Sequence, residues 1–386
     1  METTTFDVEA ARARFSSLRS GFAFLDAPGG TQVPDEVGKA IASALRDASG
    51  NLGAPYATGR AVEAILEGAR DDAARFLGCS PAEIAFGMNM TTLNFALTRA
   101  AGRDFAPGDE ILTTELDHDG GVAPWVELAA DRGLEVLIAD ATDELTVDYD
   151  DLERKLNERT RVVAFAMASN ATGSIADAKR ICRLAREAGA LSWIDAVHYA
   201  AHEPIDVREL GCDVLLCSPY KFCGPHLGIG YVRAEAAEPW RPYKARPSSS
   251  EPLGRRFGTG TLPYELLAGF RATIAYLDSL GGLAVLRDHE RELGERLVGN
   301  LPDNVRLYGP DFEHRVPTFL LNAEGVDAKT AALALAERGV GVWYADNWYC
   351  VALAHRLPPL SLRVGLVHYN TPAEVDRLLE GLAALG

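Results

Sequence analysis

The sequence predicts an α/β fold. A large domain is built on a mostly parallel sheet covered by helices, and a smaller α+β C-terminal domain follows it. Three observations lead there. From residue 83 to 217, short apolar runs alternate with helical stretches of roughly ten to fifteen residues, the rhythm of βαβ units. Polar residues with chemical potential fall at or just past the ends of those runs: Thr91, His118, Asn170, Asp195 and Lys221. Ligands of parallel sheets gather beyond the carboxyl ends of the strands. After residue 262 the pattern changes to two helices and then a mixture of short strands and helices.

In chain order, residues 1–20 predict a short helix with Val8, Ala11, Phe15 and Leu18 at helical spacing. FAFLDAPGGTQVP (22–34) predicts a strand, a Gly/Pro turn and entry to a helix over 36–47. Residues 49–60 are rich in glycine and small residues and predict a loop. An amphipathic helix follows over 61–77, with Ile65, Ala69, Ala73 and Phe76 on one side. The alternating series then runs from EIAFGMN to CDVLLCSPYK. Residues 239–262 form a Pro/Ser/Gly-rich connection, longer than an ordinary loop. Helices are predicted over 263–280 and 282–300, and the final helix opens on a Thr371/Glu374 capping box. The domains are read as 21–262 (large) and 1–20 with 263–386 (small).

Of the 386 residues, 47% are hydrophobic, enough for a large core. The net charge of −17 makes nucleic acid and anionic membrane poor partners. No apolar run is long enough for a membrane span, and METTTFDVEAARARF lacks the apolar stretch of a secretory signal. The six cysteines include no CxxC pair and form no cluster with histidine at ligand spacing. They read as reduced thiols of a cytoplasmic protein without a metal site.

Lys221 lies in SPYKFCGPHLG, directly after an apolar strand. Asp195 ends the preceding strand, and His198 follows it by three residues. A lysine can form an imine only as the free amine. An acid one strand away can hold a protonated ring nitrogen.

SPYKFCGPHLGIGYVR resembles the Schiff-base lysine segment of fold-type I pyridoxal phosphate (PLP) enzymes. The branch it resembles is the class V aminotransferase family, cysteine desulfurase-like subgroup. FLDAPGGTQVP, NMTTLNFAL, LDHDGGVAPW, ASNATG, DAVHYAAHEPIDV, RFGTGT and LRVGLVHYNTPAEVDRLLEGL follow that family's order along nearly the whole chain. The resemblance implies PLP as cofactor and Lys221 as its anchor. It places Asp195 at the pyridinium nitrogen, His118 over the ring, and Thr91, Thr92 and Ser218 at the phosphate. It places His198 and Asn170 near the ring oxygen, Asn170 also near the substrate, and Arg363 on the α-carboxylate of an amino-acid substrate. The counterpart of Thr261 reaches the phosphate across a dimer interface, which implies a homodimer with a shared active site.

The chain departs from that branch in VGVWYADNWYCVALAHRLPPLSLRVG. The branch carries a mobile cysteine in an R-x-G-H-H-C-type segment there. Counting places Tyr349 at the cysteine, with Cys350 one residue away, and Trp343 near a second arginine. Cys350 is therefore either a persulfide carrier or a packing residue of the pocket wall. The aromatic segment predicts a substrate larger or less polar than cysteine. The reading is an enzyme with cysteine desulfurase or carbon–sulfur lyase chemistry. An amino-acid epimerase or aminotransferase, and a non-catalytic sulfur-transfer partner, are the alternatives. A sulfur-acceptor protein has no support in the sequence.

Overall fold

A computed structural model describes residues 6–246 and 249–385. The large sheet has seven strands: β1 (Ile84–Gly87), β2 (Glu110–Thr114), β3 (Glu135–Ala139), β4 (Thr160–Ala166), β5 (Leu191–Asp195), β6 (Val214–Cys217) and β7 (Gly228–Val232). Their spatial order is β1-β7-β6-β5-β4-β2-β3. The pairs among β2 to β6 are parallel, and β7 runs against both of its neighbours. β6, VLLC, is buried throughout, as expected of a strand covered on both faces.

β7 was not among the predicted strands. Its GIGYV sequence carries glycines that read as turn signals. In the fold those glycines permit close packing. A Cβ at Gly228 would lie 2.4 Å from the Asn89 carbonyl oxygen, and one at Gly230 would sit 3.0 Å from Leu216 and 3.1 Å from Leu93. The Met90–Ala101 helix thus presses directly onto the strand, which fixes where its N-terminus opens.

The C-terminal sheet has four antiparallel strands: β8 (Val305–Tyr308), β9 (Thr318–Ala323), β10 (Trp343–Ala345) and β11 (Ser361–Gly365), in the order β10-β11-β9-β8. Leu293, Phe319, Leu335, Leu362 and Leu378 form its core with the helices that cover it. The predicted Thr371/Glu374 capping box is present. The start of the chain is stitched to this part. Ala23–Phe24 pairs in parallel with Val340–Gly341, and Asp26 bridges to Gly365. A Cβ at Gly365 would lie 1.9 Å from Pro28 Cδ, so only glycine lets residues 26–29 lie against β11.

Three local expectations change. The N-terminal stretch divides into a helix, Val8–Arg12, and a 3-10 turn, Ser16–Ser20, while residues 1–5 lie outside the described residues. The long helix starts at Ala57, inside the predicted loop, where Gly59 packs closely on Ala54. The 239–262 connection is partly ordered by burial. Trp240 and Phe257 join the core beside Trp193, and the Leu253–Arg256 helix brings Gly254 against the Ile84 carbonyl. Residues 247–248 of that connection lie outside the described residues. Across residue 262, Leu267 and Phe270 of the Tyr264–Ser279 helix share one apolar cluster with Ile84 and Phe86. No helix among the described residues is long and apolar enough to cross a membrane.

Candidate active site

A pocket of about 630 Å³ opens past the carboxyl ends of β4, β5 and β6, facing β10 and β11. Eight of the residues singled out in the sequence line it: Thr91, His118, Asn170, Asp195, His198, Ser218, Lys221 and Arg363. Thr92, Thr261 and Cys350 do not. The Thr92 hydroxyl donates to the Asn89 carbonyl at 3.1 Å, Thr261 is exposed on the connection, and Cys350 is fully buried behind the wall.

Lys221 ends a 3-10 turn, Pro219–Lys221, that caps β6. Its Nζ donates to the Pro28 carbonyl and lies 4.6 Å from the centre of the Tyr220 ring. Burial, reinforced by the Arg363 charge, brings its pKa down to about 7, although Asp26 and Asp195 pull the other way. His226, to which the sequence assigned no role, stacks on Tyr220 at 4.9 Å. Asp195 closes β5 and accepts from the Val197 N–H at 2.9 Å. Burial raises its pKa to about 6, against that hydrogen bond and the Lys221 charge.

His118 is the N-cap of the Asp119–Arg132 helix, its Nδ1 accepting from the Gly120 N–H at 2.9 Å. That bond leaves the proton of the neutral ring on Nε2. Burial, with help from the Lys221 and Arg363 charges, lowers its pKa to about 4. His198 shares a hydrogen bond with Thr318 Oγ1 through Nε2 at 2.8 Å, while its buried Nδ1 has no partner among the described residues. Burial holds it well below the usual histidine range. Thr91 sits in the first turn of its helix, where the Asn89 side chain accepts from the Thr92 N–H at 2.8 Å. Glycines keep this corner open. A Cβ at Gly120 would lie 3.0 Å from both His118 Nδ1 and Thr91 Oγ1, and one at Gly121 would lie 3.4 Å from Asp195 Oδ2.

On the opposite wall, Arg363 donates from Nε and Nη2 to a single oxygen of Asp26, at 3.2 and 3.1 Å, and from Nη1 to the Asn170 carbonyl at 3.1 Å. The Trp348 ring lies 4.3 Å from the guanidinium carbon. Asn170 ties down the neighbouring loop. Its Nδ2 donates to the Trp348 carbonyl at 2.8 Å, and its Oδ1 accepts from Cys350 Sγ at 3.0 Å. Burial raises the Cys350 thiol to about 12, and nearby Asp117 adds to the rise. A thiol so placed is a weak nucleophile.

Asp26 was not assigned to the site from sequence, whereas Trp348 and Tyr349 belong to the aromatic segment that the sequence placed along the substrate channel, and both line the pocket. Asp26 carried a usable signal, an acid just past a strand and followed by Ala-Pro-Gly-Gly. The Tyr349 ring stacks on His118 at 5.4 Å. Among the described residues, no group of three His, Cys, Asp or Glu side chains is placed to hold a metal ion.

Comparison with known proteins agrees with this arrangement. The model of the aminotransferase class-V family matches residues 23–378. A probable cysteine desulfurase 2 of Mycobacterium leprae is 34% identical, the match covering 98% of this chain and 96% of that protein. An aminotransferase-like protein FGM3 of Gibberella zeae is 31% identical over 99% of each chain. An apo cysteine desulfurase structure from Thermococcus onnurineus superposes with a TM-score of 0.92, covering 100% of this chain and 99% of that one at 24% identity, a likeness of fold. With the fold, the strand-end lysine and acid, and these relatives in agreement, the chain belongs to the aminotransferase class-V family.

Proposed function

We propose that this protein is a PLP-dependent enzyme acting on an amino acid, with cysteine desulfurase or carbon–sulfur lyase-like chemistry. The observation that carries the reading is Lys221, buried at the floor of the pocket with its pKa near 7. At neutral pH a large fraction of it is free amine, the form that attacks carbonyls and accepts protons. The family is PLP-dependent, and two features suit that cofactor: the unpartnered His198 Nδ1 and the corner kept clear at Gly120 and Gly121. When bound, PLP supplies an electron sink for the bonds at the substrate's α-carbon.

The chain's own residues then have distinct tasks. Lys221 would anchor the cofactor, and its Nζ would carry the substrate's α-proton. Asp195 holds the proton of the ring nitrogen as a carboxylate. His118, kept neutral, offers a flat ring to the cofactor face. Thr91, Ser218 and the opening of the Met90–Ala101 helix hold the phosphate. His198 Nδ1 and Asn170 serve the ring oxygen, and Arg363 receives the α-carboxylate. Thr261, exposed in one chain, would complete the phosphate site of a second copy in a homodimer. A cytoplasmic location and the two-domain division at residue 262 belong to the same proposal.

A second reading has a specific observation in its favour. No cysteine lines the pocket, and Cys350 is sealed behind it. That favours α-proton chemistry without a protein thiol, as in an epimerase or aminotransferase. Product analysis after incubation of the PLP-loaded protein with an amino-acid panel separates the readings. Sulfide with alanine or pyruvate from a sulfur amino acid supports the first. Exchange of the α-proton without loss of a substituent supports the second. A protein that cannot be loaded with PLP would sink both.

A further inference from the structure

We propose that the substrate is an α-amino acid with an aromatic side chain, held between Trp343 and Tyr349 at the mouth of the pocket. The inference rests on the amino-acid reading above and names the substrate class of that same site.

The pocket has two unlike ends. Its floor is polar, formed by Lys221, Asp195, His118 and Ser218. Its mouth is aromatic. Trp343 and Tyr349 both line it, yet they are 49% and 68% exposed. Large rings left open beside a concave site mark a surface that a ligand covers.

These rings are held in place. Trp343 sits on β10 directly opposite Arg363 of β11. It stands edge-on to Trp348, at 6.4 Å and 83°, and rests on Gly29, where a Cβ would lie 3.0 Å from its ring. Trp348 is itself fixed by an indole N–H bond to Ser361 Oγ at 2.8 Å. Tyr349 is held by its backbone. Trp348 and Tyr349 have φ of 54° and 59°, a left-handed conformation that bulky residues rarely adopt in succession. Bonds from Asp119 N–H to the Tyr349 carbonyl at 2.6 Å, and from Asn170 to the Trp348 carbonyl, secure it. Strain of this kind persists only where the surroundings over-determine it, and it concentrates at ligand clamps.

The distribution matches one amphiphile. Arg363 lies beside the indoles and suits a carboxylate, the polar floor around Lys221 is where the α-amino group would meet the cofactor, and the two open rings suit a third ring. A short side chain would leave Trp343 and Tyr349 wet and gain nothing from them. A bare thiol side chain would meet no cysteine among the lining residues.

The test uses the PLP-loaded full chain and isothermal titration with S-benzyl-L-cysteine, L-phenylalanine, L-cysteine and L-alanine, with the cofactor absorbance followed in parallel. The aromatic pair should bind about tenfold more tightly than the small pair, the gain expected of an aromatic contact plus its buried area. In Trp343→Ala that preference should fall about tenfold, and Trp343→Phe should restore most of it. Tyr349→Ala gives a second route to the same loss should the first variant misfold. Equal affinity for all four ligands, or a preference unmoved by both alanine variants, overturns the inference and leaves the amino-acid reading standing. Absence of binding and of any absorbance change with all four overturns both.

Discussion

Arg363 reaches Asp26 with two of its nitrogens, and both bonds end on the same carboxylate oxygen, at 3.1 and 3.2 Å. The arginine is nearly inaccessible, whereas the Asp26 side chain keeps 22% of its exposure. Asp26 lies within the field of Lys221 as well, yet burial still raises its pKa. The pair neutralises a buried cation at the position proposed for the substrate carboxylate. Asp26 therefore competes with the substrate.

Asp26→Asn tests that competition. Removing one partner leaves a buried charge without its counter-ion, which costs on the order of 3 kcal/mol. The free variant should melt at a lower temperature. Its KM for an amino-acid substrate should fall several-fold, because the carboxylate no longer displaces a rival. Thermal melts with and without substrate, together with KM, check both halves. A KM that rises would count against the competition.

Cys350→Ala should leave turnover within about twofold of wild type. The thiol donates to Asn170 rather than to the pocket, and burial keeps it protonated up to about pH 12. The folded protein should also resist iodoacetamide at this position, read by mass spectrometry. The stability cost should be about 1 kcal/mol, the loss of one small buried group. A loss of activity of a hundredfold or more would restore Cys350 as the sulfur carrier.

Lys221 makes the ligand-free protein pH-sensitive. Its folded pKa of about 7 lies below the ordinary lysine value, so the unfolded chain binds the extra proton between about pH 7 and pH 10. This group therefore destabilises the fold fully below pH 7, and the penalty fades as the pH approaches 10. Lys221→Met should be more stable than wild type by up to ~4 kcal/mol near neutrality, with the gap closing toward pH 10. Denaturant titrations of both apoproteins across that range measure the gap. A gap that widens with pH contradicts the assigned shift.

The sheet and most of the pocket were legible because their signals are local. β6 is wholly apolar and β4 and β5 are mostly so, and the polar residues that matter lie at or just past their ends. β7 was hidden because Gly228 and Gly230 read as turn residues until the helix packed on them is seen. Asp26 was hidden by distance, since its partner Arg363 comes 337 residues later. Cys350 was ambiguous for a different reason. Spacing placed it beside the expected position, but the left-handed turn at Trp348 and Tyr349 decides which way its thiol faces. Thr92 followed Thr91 in the sequence reading, yet its hydroxyl bonds the Asn89 carbonyl of its own helix start.

The central claim is that Lys221 is the residue that carries the cofactor. Loading the protein with PLP, reducing it with borohydride and mapping the modified peptide tests this most directly. The account predicts one labelled peptide, containing Lys221, and no label or near-visible absorbance band in Lys221→Ala. Label on any other lysine, or a wild-type protein that takes up no label, would contradict it.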